Sequence, residues 1–180
     1  MGNKAVFIDR DGTLVEEVDH LSKIEDLKVF PFTDEAIRRL KQRGYLVVVV
    51  SNQSGIGRRL FEESAVHAIH KDMQRLLDGQ LDGLYFCPHI PDEGCDCRKP
   101  ALGMIEAAVA DLDIDTDRSW IVGDKKLDME TGFNARLSTA MVLTGYGSRE
   151  VARLDRKPDI VAANLLEAVR QILGSGEGDS

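Results

Sequence analysis

The chain has 180 residues, of which 43% are apolar, and this is enough for one globular domain with a full core. Its net charge is −8, from 23 basic and 31 acidic residues, which argues against general binding to nucleic acid, because phosphate backbones need a basic face. The sequence has no run of about 18 apolar residues and begins without a signal-peptide apolar segment, so we expect a cytoplasmic protein with no membrane partner.

The first predicted element is a short apolar strand at residues 6–8, which is followed by Asp9 and Asp11. Residues i and i+2 of a strand lie on one face, so both carboxylates are expected to point into one site beyond the strand. Gly12 then lets the chain turn away sharply. Two carboxylates this close repel each other unless a cation compensates, and clustered oxygen ligands suit Mg²⁺. A solvated turn is the alternative, because Asp and Gly are common in turns.

Five further apolar stretches predict strands, and the first of them shows the pattern most clearly. Residues 45–50 are continuously apolar and mostly β-branched, which is typical of a strand buried on both faces of a parallel sheet. This stretch ends at Ser51 and Asn52. The predicted strands are 45–50, 84–86, 120–122, 139–143 and 160–161.

Apolar residues at helical spacing predict helices between these strands. Thr33 is a plausible cap of the first helix. Leu76 is expected on the buried side of the second helix, whereas His67 and His70 are expected at its surface. Residues 15–30, which are polar with scattered Leu and Val, predict a loop or flap. The predicted helices are 33–43, 62–77, 102–112, a segment that starts near 128, and 165–173.

Alternating strands and helices predict an α/β fold in which helices cover both faces of a doubly wound parallel sheet, giving three layers. We expect residues 1–173 to form a single domain without a large cap domain. Residues 174–180, rich in Gly, Ser and acidic side chains, are expected to be a disordered tail. Ligands of such sheets bind beyond the carboxyl ends of the strands, and Asp124 lies at that edge, after the 120–122 strand.

Two further polar groups at this edge are suited to phosphate. The Ser51 hydroxyl and nearby backbone N–H groups can hold phosphate oxygens, although Ser and Asn are also ordinary turn and cap residues. Arg98 and Lys99 precede a predicted helix. A lysine supplies a point charge for a phosphoryl group, and an arginine supplies a fork for a second anionic group. A solvated basic pair is the alternative.

Four side chains of metal-ligand type lie close together in the sequence, namely Cys87, His89, Cys95 and Cys97. They make a complete Cys₃His set for a structural, tetrahedral Zn²⁺ site in a small loop. Cysteine is rarely concentrated in an exposed loop without a metal or a redox reason. Reduced thiols in an ordinary loop are the alternative.

The run D-R-D-G-T at residues 9–13 resembles the first motif of the haloacid dehalogenase-like (HAD) phosphatases. Ser51 and Lys99 match the second and third motifs of that superfamily, and the pattern G-D-x-x-x-D at residues 123–128 matches the fourth. The resemblance implies a Rossmann-like HAD fold. It also implies that Asp9 is the nucleophile and Asp11 the general acid/base, with Ser51 and Lys99 completing the catalytic set.

The same resemblance implies ligands for a magnesium ion and for the substrate. The side chains of Asp9 and Asp124 and the backbone carbonyl of Asp11 would hold Mg²⁺, while Asp128 would orient the site. The implied substrate contacts are Asp9, Arg10, Asp11, Glu17, His20, Ser51, Asn52, Gln53, Ser54, Arg98, Lys99 and Lys125.

The loop that contains the four Cys and His residues, 87–97, indicates which branch of the superfamily the sequence resembles most. The letters C-P-H followed by C-D-C-R-K-P are similar to the zinc-binding branch of the superfamily, which contains the heptose bisphosphate phosphatases and the histidinol-phosphate phosphatases. The run S-N-Q-S-G-I-G-R at residues 51–58 is more similar to the first group, whereas the short gap between Cys87 and Cys95 is similar to the second. The resemblance therefore implies a monomeric, Mg²⁺-dependent phosphatase for a small phosphorylated metabolite, with a heptose bisphosphate favoured.

Two interpretations from other classes stay open. A phospho-acceptor signalling domain also uses a strand-end Asp, a Ser or Thr and a Lys on a doubly wound sheet, but the D-x-D-G-T pattern and the zinc loop argue against it. A zinc-stabilised binding module without activity is the other, and it would have no need of Asp11.

Overall fold

The structure, a computed structural model, describes residues 2–175 and contains one six-stranded parallel sheet. The strands are β1 (Ala5–Ile8), β2 (Leu46–Asn52), β3 (Gly83–Cys87), β4 (Trp120–Gly123), β5 (Ser138–Val142) and β6 (Ile160–Ala162). They pair in the order β3-β2-β1-β4-β5-β6. The chain therefore winds outward in both directions from β1 and β4, and the loops that follow these two strands leave a crevice between them.

Residues 2–175 contain five long helices, as the sequence predicts, of which four connect strands and the fifth follows β6, and two short α-helices that were not predicted. A four-residue helix contains too few apolar positions to show a helical period. The helices are α1 (Thr33–Gln42), α2 (Ser54–Gly57), α3 (Glu63–Leu76), α4 (Gly103–Leu112), α5 (Lys126–Ala135), α6 (Gly147–Glu150) and α7 (Leu165–Ser175).

The central strands bury side chains on both faces, which explains their unbroken apolar sequence. Val47 and Val49 pack in one core with residues of α1, α3 and α7. Val48 and Val50, which alternate with them along β2, pack in a second core with residues of α4. The sheet thus has a helical layer on each side, and the predicted three-layer, doubly wound α/β fold is confirmed.

Helix α3 corrects two predictions about its buried face. Leu76 is 44% exposed, whereas Leu77 is buried. His70, expected at the surface, is also buried, while His67 is exposed as predicted. Val66, Met73 and Leu77 are spaced so that His70 falls on the same stripe, and its ring packs edge-on against Phe86 with centroids 5.7 Å apart.

The start of α1 also differs from its predicted cap. Thr33 is the first residue inside the helix, and its hydroxyl donates a hydrogen bond of 2.8 Å to the backbone oxygen of Leu14. This bond holds α1 against the segment that follows β1. Residues 15–30, predicted as a loop or flap, contain one 3-10 turn (Ile24–Asp26) and are fastened to the domain at Val15, which bridges to both Asp11 and Val29.

The predicted tail at 174–180 falls mostly outside the described residues, since only 174 and 175 are described, as the end of α7. No helix in residues 2–175 is long and apolar enough to cross a membrane.

Candidate active site

A cleft of about 200 Å³ lies at the carboxyl edge of the sheet, and it gathers side chains from four separate parts of the sequence. Eleven of the twelve predicted substrate contacts line it, and Arg10 is the exception. The lining residues are Asp9, Asp11, Glu17, Val18, Asp19, His20, Leu21, Ser51, Asn52, Gln53, Ser54, Arg98, Lys99, Lys125, Leu127 and Asp128.

Lys99 is buried at the base of the cleft between two carboxylates. Its Nζ lies 2.8 Å from Asp9 Oδ1 and 2.6 Å from Asp128 Oδ1, and it also donates to the backbone oxygen of Val50 at 2.9 Å. Burial alone would raise the pKa of Asp9, but the charges of Lys99 and Lys125 outweigh it and lower that pKa to about 2. Asp9 is therefore an ionised carboxylate at neutral pH.

Lys125 marks a cation position beside Asp9. Its Nζ lies 3.5 Å from Asp9 Oδ2, 3.3 Å from the backbone oxygen of Asp11 and 3.1 Å from Asp124 Oδ1. These are the three oxygen atoms that the sequence resemblance implies as magnesium ligands, and the ammonium group stands in for a cation among them. Two carboxylates and a carbonyl are hard oxygen donors of the kind Mg²⁺ takes, so the residues fit the ion.

Asp128 also belongs to the buried acidic group, since its ligand atom lies within 4.8 Å of those of Asp9 and Asp124. Both of its oxygens are engaged, however. Oδ1 accepts from Lys99, and Oδ2 accepts from the backbone N–H of Lys125 at 3.0 Å. Asp128 is therefore placed to orient the two lysines, in line with the role implied by the fourth motif.

Two glycines leave room for the Asp124 carboxylate. A Cβ atom at Gly12 or at Gly145 would lie 2.3 or 2.2 Å from Asp124 Oδ2, and both glycines have positive φ angles, +85° and +54°. The same oxygen accepts a 2.8 Å hydrogen bond from the backbone N–H of Tyr146. Burial and the nearby charge of Asp9 raise the pKa of Asp124 to about 8. The sequence alone did not link Gly145 or Tyr146 to this carboxylate.

Asp11 is held at the edge of the cleft by two neighbours. Gln53 Nε2 donates to its Oδ2 at 2.9 Å, and Arg10 Nε lies 3.2 and 3.1 Å from Oδ1 and Oδ2. Asp11 keeps 14% of its side chain exposed, whereas the Arg10 side chain is fully buried. The structure therefore places Arg10 behind Asp11 and away from the cleft.

The end of β2 supplies the Ser51 hydroxyl and, through Asn52, two hydrogen bonds to the backbone of Lys99. Ser51 Oγ lies at the cleft and accepts a 2.6 Å hydrogen bond from Gln53 Nε2. Asn52 uses its side-chain amide on the backbone of Lys99, accepting from its N–H at 3.0 Å and donating to its carbonyl at 3.2 Å. This pair of bonds ties the loop that carries Lys99 to the sheet.

The rim of the cleft carries both acidic and basic side chains. Glu17 Oε2 lies 3.1 Å from Lys125 Nζ, and burial raises the pKa of Glu17 despite that lysine. His20 reaches the cleft from the same segment, with its side chain 35% exposed. Arg98 also lines the cleft and donates from Nη1 to the backbone oxygen of His89 at 2.9 Å. The loop between β3 and α4 thus positions an arginine at the cleft.

The Cys₃His cluster has the dimensions of a tetrahedral metal site. Cys87 Sγ lies 3.0, 3.6 and 3.4 Å from Cys97 Sγ, Cys95 Sγ and His89 Nδ1, and Cys97 Sγ lies 3.7 Å from Cys95 Sγ. Bond lengths of about 2.3 Å to sulfur and 2.1 Å to nitrogen give tetrahedral edges of roughly 3.5 to 3.8 Å. The two distances to Cys95 Sγ match these edges, and the Cys87–Cys97 distance is shorter. The four donors can therefore enclose one Zn²⁺ after a small outward shift, with no position left for substrate.

An aspartate pair after β1, a serine at the end of β2, a lysine before α4 and an acidic motif after β4 define the class of HAD-like hydrolases. A family model described as HAD-hydrolase-like matches residues 96–168. The matched residues include Lys99 and Asp124, which the sequence resemblance assigns to the third and fourth motifs.

The curated relatives carry a more particular description. The D-glycero-beta-D-manno-heptose-1,7-bisphosphate 7-phosphatase of Haemophilus ducreyi is 39% identical over 179 residues, which cover 94% of this chain and 98% of that protein. The corresponding enzyme of Thermosynechococcus vestitus is 38% identical and covers 96% of each chain. The chain belongs to this family, the heptose bisphosphate 7-phosphatases among the HAD-like hydrolases.

A solved structure agrees with this assignment. The D,D-heptose 1,7-bisphosphate phosphatase from B. bronchiseptica, crystallised in complex with magnesium and phosphate, superposes with a TM-score of 0.89 and is 32% identical. The match covers 96% of this chain and 99% of that one.

Proposed function

We propose that the protein is a Mg²⁺-dependent phosphatase that hydrolyses D-glycero-D-manno-heptose 1,7-bisphosphate at its 7-phosphate through a phosphorylated Asp9. The observation that carries the proposal is the buried, ionised Asp9 carboxylate, which faces the cleft between Lys99 and the cation position. A nucleophile is most effective where cations balance its charge without blocking its approach to the substrate.

In the first half of the reaction, an Asp9 oxygen attacks phosphorus and forms a new O–P bond. The bond between phosphorus and the sugar oxygen breaks, and its electron pair stays on that oxygen. Asp11 gives its proton to the same oxygen, so the sugar leaves as an alcohol. Lys99 and the Ser51 hydroxyl hold the phosphoryl oxygens during this transfer.

In the second half, a water molecule attacks the same phosphorus atom. Asp11, now a carboxylate, takes a proton from the water. The bond between Asp9 and phosphorus breaks, which returns the carboxylate and releases inorganic phosphate. Each residue is thereby restored to its starting protonation state.

Magnesium would be held by Asp9 Oδ2, Asp124 Oδ1 and the Asp11 backbone carbonyl, the three atoms around Lys125 Nζ. When bound, Mg²⁺ supplies positive charge between the nucleophile and the phosphoryl group. Lys125 would then pair with Glu17 or with the substrate. Zinc in the Cys₃His cluster would be structural, holding the loop that carries Arg98 and Lys99.

The substrate assignment rests on the family and on the shape of the cleft. The relatives at 38–39% identity are described as acting on this bisphosphate. Arg98 lies on the rim and could bind a second phosphate in a bidentate fork. We also propose that the active form is a monomer, as the sequence resemblance implies.

Histidinol phosphate is the second candidate substrate, because the gap between Cys87 and Cys95 is short. We expect kcat/KM for the heptose bisphosphate to exceed that for histidinol phosphate. The assignment is wrong if histidinol phosphate is preferred tenfold or more, which is about 1.4 kcal/mol of transition-state stabilisation. Arg98→Ala should reduce kcat/KM for the bisphosphate much more than for a monophosphate of the same sugar.

The same assay separates the enzyme from a phospho-acceptor signalling domain. An enzyme releases many equivalents of phosphate from a small phosphoester, whereas a signalling domain is phosphorylated once by a donor and then loses the group slowly. Sustained turnover supports the phosphatase, and a single equivalent would contradict it.

A further inference from the structure

We propose that Arg10 is a positioning residue, which holds the Asp11 carboxylate in place for proton transfer and does not touch the substrate. The inference rests on the proposed phosphatase activity. It assigns a role in the reaction to Arg10, the residue between the two aspartates of the first motif.

The contact between the two side chains is a two-pronged one. Arg10 Nε lies 3.2 and 3.1 Å from the two carboxylate oxygens of Asp11, and Nη2 lies 3.0 Å from Oδ2 as an ion pair. Such forked contacts fix orientation as well as charge. Without them, the terminal torsion of an aspartate is broad, because its sp³–sp² bond has no sharp rotamer wells.

The burial of Arg10 argues that the fold alone does not require it. The guanidinium group is fully buried, Nη1 has no partner among the described residues, and the partner of Nη2 is Asp11, through the 3.0 Å ion pair. Burying a charge with unpaired donors costs stability, and an apolar side chain of similar volume is often better tolerated. What the side chain provides in return is its contact with Asp11.

Among the described residues, Asp11 is the ion-pair partner of Arg10. His70 is buried nearby, and its Nε2 also has no partner among residues 2–175. Burial and the charge of Arg10 keep the pKa of His70 low, at about 3, so this ring is neutral.

A positioned acid matters only where the leaving oxygen needs a proton. An alkoxide is a poor leaving group and depends on the acid, whereas a nitrophenolate leaves readily without it. Loss of Arg10 should therefore lower kcat/KM for a sugar phosphate and leave kcat/KM for p-nitrophenyl phosphate nearly unchanged, because kcat/KM reports the steps up to phosphorylation of Asp9. The second half-reaction, in which Asp11 acts as a base, is common to both substrates and does not enter this comparison. A general loss of folding, or of Mg²⁺ binding, would slow both reactions to the same extent.

The test compares Arg10→Met and Arg10→Lys with wild type on heptose bisphosphate and on p-nitrophenyl phosphate. For Arg10→Met we expect kcat/KM on the sugar phosphate to fall by about tenfold or more and kcat/KM on the aryl phosphate to stay within about threefold of wild type. Arg10→Lys keeps the charge without the fork, so its loss should be intermediate. It also serves as the test variant if Arg10→Met does not fold.

Ile69→Val, an apolar change in the buried face of α3, is the control for core packing and should affect both substrates equally. Equal losses of kcat/KM on the two substrates in the Arg10 variants would overturn the inference. Full activity of Arg10→Lys would show that charge alone suffices and would overturn it too. If wild type fails to hydrolyse either ester, the proposed function fails, and the result is distinct from these.

Discussion

The Lys99 ammonium is buried between the carboxylates of Asp9, which follows β1, and Asp128, which lies in α5. Burial opposes its charge, but the two carboxylates outweigh this and hold the pKa of Lys99 above its ordinary value. One cation therefore balances two buried anions from different parts of the chain. Removing it takes the charge partner from Asp128 and leaves Asp9 with the more distant Lys125, at 3.5 Å, although both carboxylates are buried.

We expect Lys99→Met to lower the free energy of unfolding by about 3–5 kcal/mol, the usual cost of breaking a buried ion pair from one side. Urea denaturation of the metal-free protein measures this. Lys126→Met is the matched control, since the Lys126 ammonium pairs with the solvent-exposed carboxylates of Glu130 and Asp155, and it should unfold near the wild-type midpoint. Equal midpoints for the two variants would show that Lys99 does not balance the buried charges.

The raised pKa of Asp124 predicts how the affinity for Mg²⁺ depends on pH. Burial and the charge of Asp9 raise its pKa to about 8, so below that pH the carboxyl holds a proton that the metal must displace. Mg²⁺ affinity should therefore rise with pH, by up to tenfold per unit, and level off above about 8. Titration calorimetry in two buffers should detect about one proton released per ion at neutral pH. At about pH 6 the Asp124 carboxyl is mostly protonated, and at about pH 8 it is about half ionised. Equal Mg²⁺ affinities at these two pH values would contradict the prediction.

The loop between β3 and α4 predicts a structural role for zinc. The purified protein should contain about one zinc ion per chain, and Cys97→Ser should lose the ion and lower Tm, because three ligands hold it less well than four. Asp96→Asn, at the exposed residue beside Cys97, is the control and should keep its zinc. Elemental analysis that finds no zinc, with three freely titrating thiols in the native protein, would reject the site.

Most elements of the fold could be predicted from the sequence, because their signal is local. The strand at β2 is apolar at every position up to Ser51, and α1 carries a regular apolar stripe ending near Gly44. The errors have local causes as well. Leu76 and Leu77 are adjacent at the end of α3, and the helical repeat does not indicate which of the two side chains is buried there.

The site could be predicted in part, for a reason that concerns the whole molecule. Parallel strands bring their carboxyl ends to one edge, so the sequence predicts that Asp9, Ser51 and Asp124 lie together. Pattern alone does not show how far a side chain lies from the surface. The burial of Arg10 and the position of the Lys125 ammonium depend on packing between elements distant in sequence.

The cleft combines acidic and basic side chains, and a substrate with two phosphates must enter it although the chain carries a net charge of −8. Arg98, Lys99 and Lys125 line the cleft beside five acidic residues, Asp9, Asp11, Glu17, Asp19 and Asp128. These three cations, together with bound Mg²⁺, would offset the acidic lining and attract the phosphates. Because this attraction is electrostatic, the substrate should bind more weakly as ionic strength rises.

The most direct test of the account is phosphate release by Asp9→Asn in the presence of Mg²⁺. This change removes the nucleophile while keeping the size and shape of the side chain. Wild type should release one equivalent of phosphate from position 7 of the heptose bisphosphate, and Asp9→Asn should release none while its circular dichroism matches wild type. An Asp9→Asn protein that folds and retains near wild-type turnover would contradict the proposal that Asp9 carries the phosphoryl group.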